Sequence, residues 1–111
     1  MNRFVLSATM LAAVALTGCA TTRRIGQIQA DPSRYRNDTV RVQGRVTNSF
    51  GALVAGFYEV EDETGKIYVI SRSGVPSKGS RVAVKGTVMN GITVMGRSFG
   101  TAIQEQSHKV R

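Results

Sequence analysis

The sequence predicts an all-β domain, a small barrel of five short strands preceded by a short N-terminal helical turn. Three observations carry this reading. Between residues 39 and 94 apolar side chains recur at every second position, the period of a strand with one buried face. Clusters of Gly, Pro, Asn, Asp and Ser separate these runs at hairpin and short-loop spacing. Gly44 and Gly86 each sit inside a valine series, at inward positions where a missing side chain lets a strand coil sharply enough to close a barrel.

The elements follow in order. Ile25, Ile28 and Tyr35 around Asp31-Pro32-Ser33 predict a helical turn ending near Ala30, then a proline-bearing turn. The first strand starts at Thr39, with Val40, Val42, Gly44 and Val46 inward against Arg41, Gln43 and Arg45. Asn48 to Gly56 is expected as a loop carrying Phe50, Leu53 and Val54. Asp62-Glu63-Thr64-Gly65 has Asp first and Gly last, as a type I turn prefers. If it closes a hairpin, Glu61 faces Lys66, Val60 faces Ile67, Glu59 faces Tyr68 and Tyr58 faces Val69. Tyr58, Val60, Ile67 and Val69 then share the inner face, and a one-residue slip would scramble it. Gly74 to Gly79 reads as a turn-rich connection, and Val82, Val84, Gly86 and Val88 form the fourth strand. Asn90-Gly91 is a strong hairpin signal and is expected to lead into a fifth strand from Ile92. Ile103 is expected to end the core, with Gln104 to Arg111 a polar, frayed tail.

Three stretches carry a resemblance. Residues 40–46 (Val-Arg-Val-Gln-Gly-Arg-Val) resemble the opening strand of OB-fold domains. Residues 58–69, with the Asp-Glu-Thr-Gly turn, resemble their second and third strands, and residues 79–88 the fourth. The likeness spans roughly residues 25–105, with only a turn where many OB folds place a helix between strands three and four, as in bacterial exported OB-fold proteins. It implies a ligand face on the exposed side of strands two and three, walled by loops. In this register that face offers Phe57, Tyr68 and Ile70, with Phe50 as a wall and Arg41 and Arg45 nearby.

The N-terminus is an address. Met1-Asn2-Arg3 is followed by an uncharged run from Phe4 to Leu16, too short for a bilayer-spanning helix of about 20 residues. Leu16-Thr17-Gly18-Cys19 matches the bacterial lipobox, so residues 1–22 resemble a lipoprotein signal peptide. That resemblance implies diacylglyceryl transfer to the Cys19 sulfur, cleavage before Cys19, and acylation of the new amine, with fatty acids such as palmitate as the anchor. The expected organisation is a signal peptide at 1–18, lipidated Cys19 and a short tether at 19–24, an OB-fold-like domain at 25–105 and a tail at 106–111. Ala20, rather than Asp, after the cysteine implies the outer membrane, facing the periplasm, in an organism with two membranes.

At 111 residues the chain has room for one domain. Its single Cys excludes an internal disulfide and a multi-cysteine zinc site, and its single His a histidine-rich metal cluster. No metal or cofactor is expected. The acids Glu59, Glu61, Asp62 and Glu63 cluster on one hairpin, where they neither flank a cleft nor wrap a cation. His108, read as part of a mobile tail, leaves no nucleophile–base constellation, and a non-enzymatic protein is expected. Removing residues 1–18 leaves 14 basic against 7 acidic residues, about +7. In an exported protein such a charge points to the membrane surface, an envelope protein or an anionic polymer before nucleic acid, which an OB fold could otherwise bind. Arg23 and Arg24 are expected to orient the domain on the lipid, leaving Arg41, Arg45, Arg81 and Lys85 free for a partner.

Overall fold

The computed structural model describes residues 21–51, 55–94 and 96–111. The expected signal segment, Cys19 and Ala20, and Leu53 and Val54 of the first loop lie outside the described residues. Two short helices, α1 (Ile25–Ala30) and α2 (Pro32–Tyr35), precede five strands: β1 (Thr39–Gly51), β2 (Gly56–Glu61), β3 (Lys66–Ser71), β4 (Arg81–Val94) and β5 (Arg97–Val110). The strands close a barrel in the order β1-β2-β3-β5-β4. All neighbours are antiparallel except β3 and β5, whose parallel pairing (Tyr68↔Ala102 to Ile70↔Gln104) seals it.

One strand serves two partners. β1 pairs with β4 from Thr39 to Arg45 and with β2 from Arg45 to Gly51. Gly44 lies at the handover, where a β-carbon would sit 2.2 Å from the Glu61 carbonyl oxygen. Only a residue without a side chain lets two strands approach so closely. The β2–β3 hairpin has the predicted register, from Glu61↔Lys66 to Tyr58↔Val69. Val42, Val60, Ile67, Val69, Val82 and Val84 fill the interior with Tyr58, and all are essentially solvent-free.

The helices plug one end of the barrel, burying Ile25, Ile28 and Tyr35 in the same core. α1 docks on the β2–β3 turn: Ile25 N–H donates to Asp62 Oδ2 at 2.9 Å and Gly26 N–H to Thr64 Oγ1 at 2.8 Å. Asp62 Oδ1 meanwhile accepts from Thr64 N–H and Gly65 N–H, which shapes the turn. Burial pushes the Asp62 carboxyl up, but hydrogen bonds from Ile25, Thr64 and Gly65 outweigh it and hold the group below its ordinary range.

Several expectations need correction. Asn90-Gly91 is not the hairpin turn: the β4–β5 ladder runs through it to Val94↔Arg97, and Gly96, at φ +77°, lies in the actual turn. Residues 104–110 are not a tail but the second half of β5, paired to β4 as far as Val82↔Val110. The first loop is shorter than expected because β1 continues to Gly51. Residues 21–23 of the expected tether run beside β1: Arg23 N–H donates to the Arg41 carbonyl at 2.7 Å and Arg41 N–H to the Thr21 carbonyl at 3.2 Å. In each case the backbone found a ladder that the side-chain pattern alone did not announce.

Candidate functional site

Register builds the first candidate site. Phe57 on β2 lies opposite Phe50 of β1 on one side and Ile70 of β3 on the other. Tyr68 lies two residues before Ile70 and shares its outward face. The β4–β5 hairpin adds the cross-strand pair Ile92↔Phe99. These side chains form a second apolar cluster on the outer wall, separate from the barrel core. Phe57 packs against Phe50, Phe99 and Tyr68 with ring centroids 5.1, 5.1 and 5.9 Å away, and Tyr68 lies 4.9 Å from Phe99.

Arg97 ties the cluster together. Its guanidinium lies 5.2–5.7 Å from the centroids of Phe50, Phe57, Tyr68 and Phe99, inside the range of cation–π attraction. It also donates to Tyr68 Oη at 3.3 Å. Phe57 and Phe99 retain only 6% and 5% of their surface, whereas Phe50 keeps 42%. The patch is therefore a preassembled aromatic cluster with one open ring and a fixed cation. It can seat an apolar side chain, with the cation beside it for a carboxylate.

Of the residues expected on this face, Phe50, Phe57, Tyr68 and Ile70 come together; Arg41 and Arg45 do not. Those two belong to the half of β1 that pairs with β4, opposite Lys85 and Arg81, so the handover at Gly44 carries them to another side of the barrel. Ile92, Arg97 and Phe99 were missed because a turn at Asn90-Gly91 would have left them out of register. The signal that could have found them is the even-numbered series Val82 to Val94, which runs past Asn90 through Ile92. Glu59 is occupied by Thr47 Oγ1 at 2.7 Å and Asn48 Nδ2 at 3.2 Å.

A polar cluster inside the barrel was also missed. A register shift between Lys85 and Gly86 turns both Glu105 and His108 of β5 inward. The Glu105 carboxylate, its side chain 2% exposed, accepts hydrogen bonds from Tyr58 Oη, Ser71 Oγ (2.9 Å) and Ser73 Oγ (3.1 Å), with His108 Nδ1 at 2.6 Å. His108 is thus held on a strand, not in a mobile tail. Burial, then the hydrogen bond to Glu105 and its charge, push the Tyr58 phenol far above its ordinary range, so it stays a donor. The cluster joins β2, β3 and β5, and its carboxylate is enclosed rather than presented to a substrate. Among the described residues no group of three or more His, Cys, Asp and Glu side chains converges on a possible metal position.

No protein-family model and no curated protein matches the chain. Solved structures do. Asparaginyl-tRNA synthetase from Entamoeba histolytica, in complex with asparaginyl-adenylate, aligns with 84% of this chain and 23% of its own at TM-score 0.63 and 13% identity. The Pyrococcus horikoshii asparaginyl-tRNA synthetase aligns with 69% of this chain and 20% of its own at TM-score 0.56 and 19% identity. An OBody bound to hen egg-white lysozyme covers 69% of this chain and 82% of its own at TM-score 0.55 and 18% identity. The chain thus spans about a fifth of the length of the synthetases. At these identities the likeness speaks for the fold alone. The described residues form a five-stranded OB-fold barrel with two short helices at its N-terminal end.

Proposed function

We propose that this protein is a non-enzymatic, lipid-anchored OB-fold module of the bacterial cell envelope that binds a partner protein through its aromatic–arginine face. The single observation behind the partner is that face: four rings around one guanidinium, with Phe50 open to solvent. Aromatic residues and arginine in a preassembled cluster are the residue types that dominate protein–protein affinity. The OBody bound to lysozyme is an example of this fold holding a protein. The anchor rests on the lipobox around Cys19.

A second reading has support in the synthetase neighbours and the positive charge: a nucleic-acid-binding OB domain. Base stacking needs free ring faces, and here the rings already pack on one another and on Arg97. That favours a protein.

Mass spectrometry of the chain isolated from its own membranes tests the anchor. It should begin at an acylated Cys19, and Cys19→Ser should leave the precursor uncleaved; a mature chain with a free thiol would refute it. A photo-crosslinking residue at position 50 should give a discrete protein adduct that Arg97→Ala abolishes, while one at position 66 should not. Tight, steeply salt-dependent binding of single-stranded DNA, blocked by Phe50→Ala, would favour the second reading.

A further inference from the structure

We infer that the outer face of the β1–β4–β5 sheet is a docking surface for the anionic head groups of the membrane beside it. Arg45 lies directly opposite Arg81, and Arg111 N–H bonds the Arg81 carbonyl at 2.9 Å, so three arginines span three strands in a row. The next row is Gln43, Ala83 and Lys109, and the one after it Arg41, Lys85 and Ser107. The intervening Val42, Val82 and Val84 point into the core, which leaves these rows facing out. No carboxylate side chain occupies any of the nine positions.

Like charges directly opposite each other destabilise a sheet; Glu61, opposite Arg45 on its β2 side, offsets this at one end of the first row, and an anionic surface would offset the rest. Among the described residues, neither ion pair involves an arginine. The Arg41 Nε–H is shielded from solvent and has no protein partner. An open cleft of about 600 Å³ runs along Arg24, Arg45, Arg81 and Arg111. Glu61, Asp62 and Glu63 also line it; Glu61 lies 3.7 Å from Lys66, whereas Asp62, bonded to neutral donors, and Glu63 keep their charge, so the basic rows rather than this cleft carry the inference.

Two facts favour lipid over nucleic acid. None of the nine positions is aromatic, whereas single-strand binders pair a basic groove with stacking rings. The chain also enters at this sheet: Thr22 bridges to Arg41, on the β1 edge that β4 leaves open. Cys19 is two residues before Thr21, a reach of about 7 Å at most. The placement rests on the lipid-anchor reading; the charge pattern does not.

The test uses the full, membrane-extracted protein in vesicles of phosphatidylglycerol or of phosphatidylcholine. Amine acylation, read by mass spectrometry, compares Lys85 and Lys109 with Lys66 and Lys78, which lie off this face. Each basic residue near an anionic surface favours docking about fivefold. Lys85 and Lys109 should therefore react at least about tenfold more slowly on the anionic vesicles than on the neutral ones, with Lys66 and Lys78 unchanged. Arg45→Ser/Arg81→Ser/Arg111→Ser, or about 1 M salt with its Debye length of about 3 Å, should remove that protection. Equal rates on both vesicles would overturn the inference, and so would stronger protection by single-stranded DNA at matched phosphate. The N-terminal peptide in the same spectra reports acylation separately. Protection without acylation keeps the docking face and refutes the anchor, and acylation without protection does the reverse.

Discussion

Tyr58→Phe isolates the buried cluster with least disturbance. The ring, fully enclosed in the core, is kept, and only the hydroxyl that donates to Glu105 is lost. Glu105 then keeps His108, Ser71 and Ser73, but the Oε1 that received the phenol loses a donor. A hydrogen bond to a charged group contributes about 1.5–3 kcal/mol, and a desolvated acceptor left short is costly. A loss of about 2–3 kcal/mol should lower the melting temperature by roughly 10–20 °C in a domain this small. Linkage adds a second signature. The folded phenol titrates above its ordinary value of 10.0, so its contribution is intact below pH 10 and is lost as pH rises beyond it. Urea denaturation across that range should show the wild type losing its margin over Tyr58→Phe above pH 10. A variant within about 0.5 kcal/mol of wild type at neutral pH, with parallel pH curves, would refute the role given to this hydroxyl.

Gly86→Ala should destabilise by at least about 2 kcal/mol in the same assay, since its β-carbon would meet Gln104 O at 2.3 Å and Ile103 Cγ2 at 2.6 Å. Val84→Asp should unfold the domain by circular dichroism, because an unpaired buried carboxylate costs several kcal/mol, while Gln43→Asp, outward on the neighbouring strand, should not. Asp62 has a lowered folded pKa, so its contribution is present above its ordinary 3.8 and lost as pH falls through the folded value. Asp62→Asn should remove that loss from acid denaturation curves while lowering stability at neutral pH.

What the sequence disclosed follows from which forces leave a local trace. The β2–β3 hairpin was legible to the residue because Asp62 and Gly65 mark its turn and the valine alternation fixes its faces. Gly44 and Gly86 were legible as coiling points because each interrupts a valine series. The β4–β5 hairpin was not, because Asn90-Gly91 suits a tight turn but also sits inside a ladder that tertiary pairing extends to Val94. That single displacement hid Arg97 and Phe99 from the aromatic face and turned 104–110 into a tail. His108 and Glu105 stayed hidden for a related reason. A polar stretch reads as solvated until a bulge, invisible in the pattern, turns two of its members into the core.

The barrel order makes the two proposed surfaces compatible. β4, the middle strand of the basic sheet, is separated from the β2–β3 pair by β1 on one side and β5 on the other. The arginine rows use residues 41–45, 81–85 and 107–111, whereas the aromatic cluster uses β2, β3, Phe50 at the other end of β1 and the 92–99 stretch of the β4–β5 hairpin, so the two surfaces share no residue. A domain resting on its basic rows therefore leaves Phe50 and Arg97 out of that contact, where a partner can reach them. The proposed lipid anchor would fix distance but not rotation, because a single attachment point leaves the domain free to turn about it. Charge supplies the missing constraint: positive residues near an anionic leaflet add about 1 kcal/mol each, and with them on one wall that energy acts as a torque as well as an attraction. Lipid would then hold the protein, the β1–β4–β5 arginines would orient it, and the β2–β3 face would do the binding.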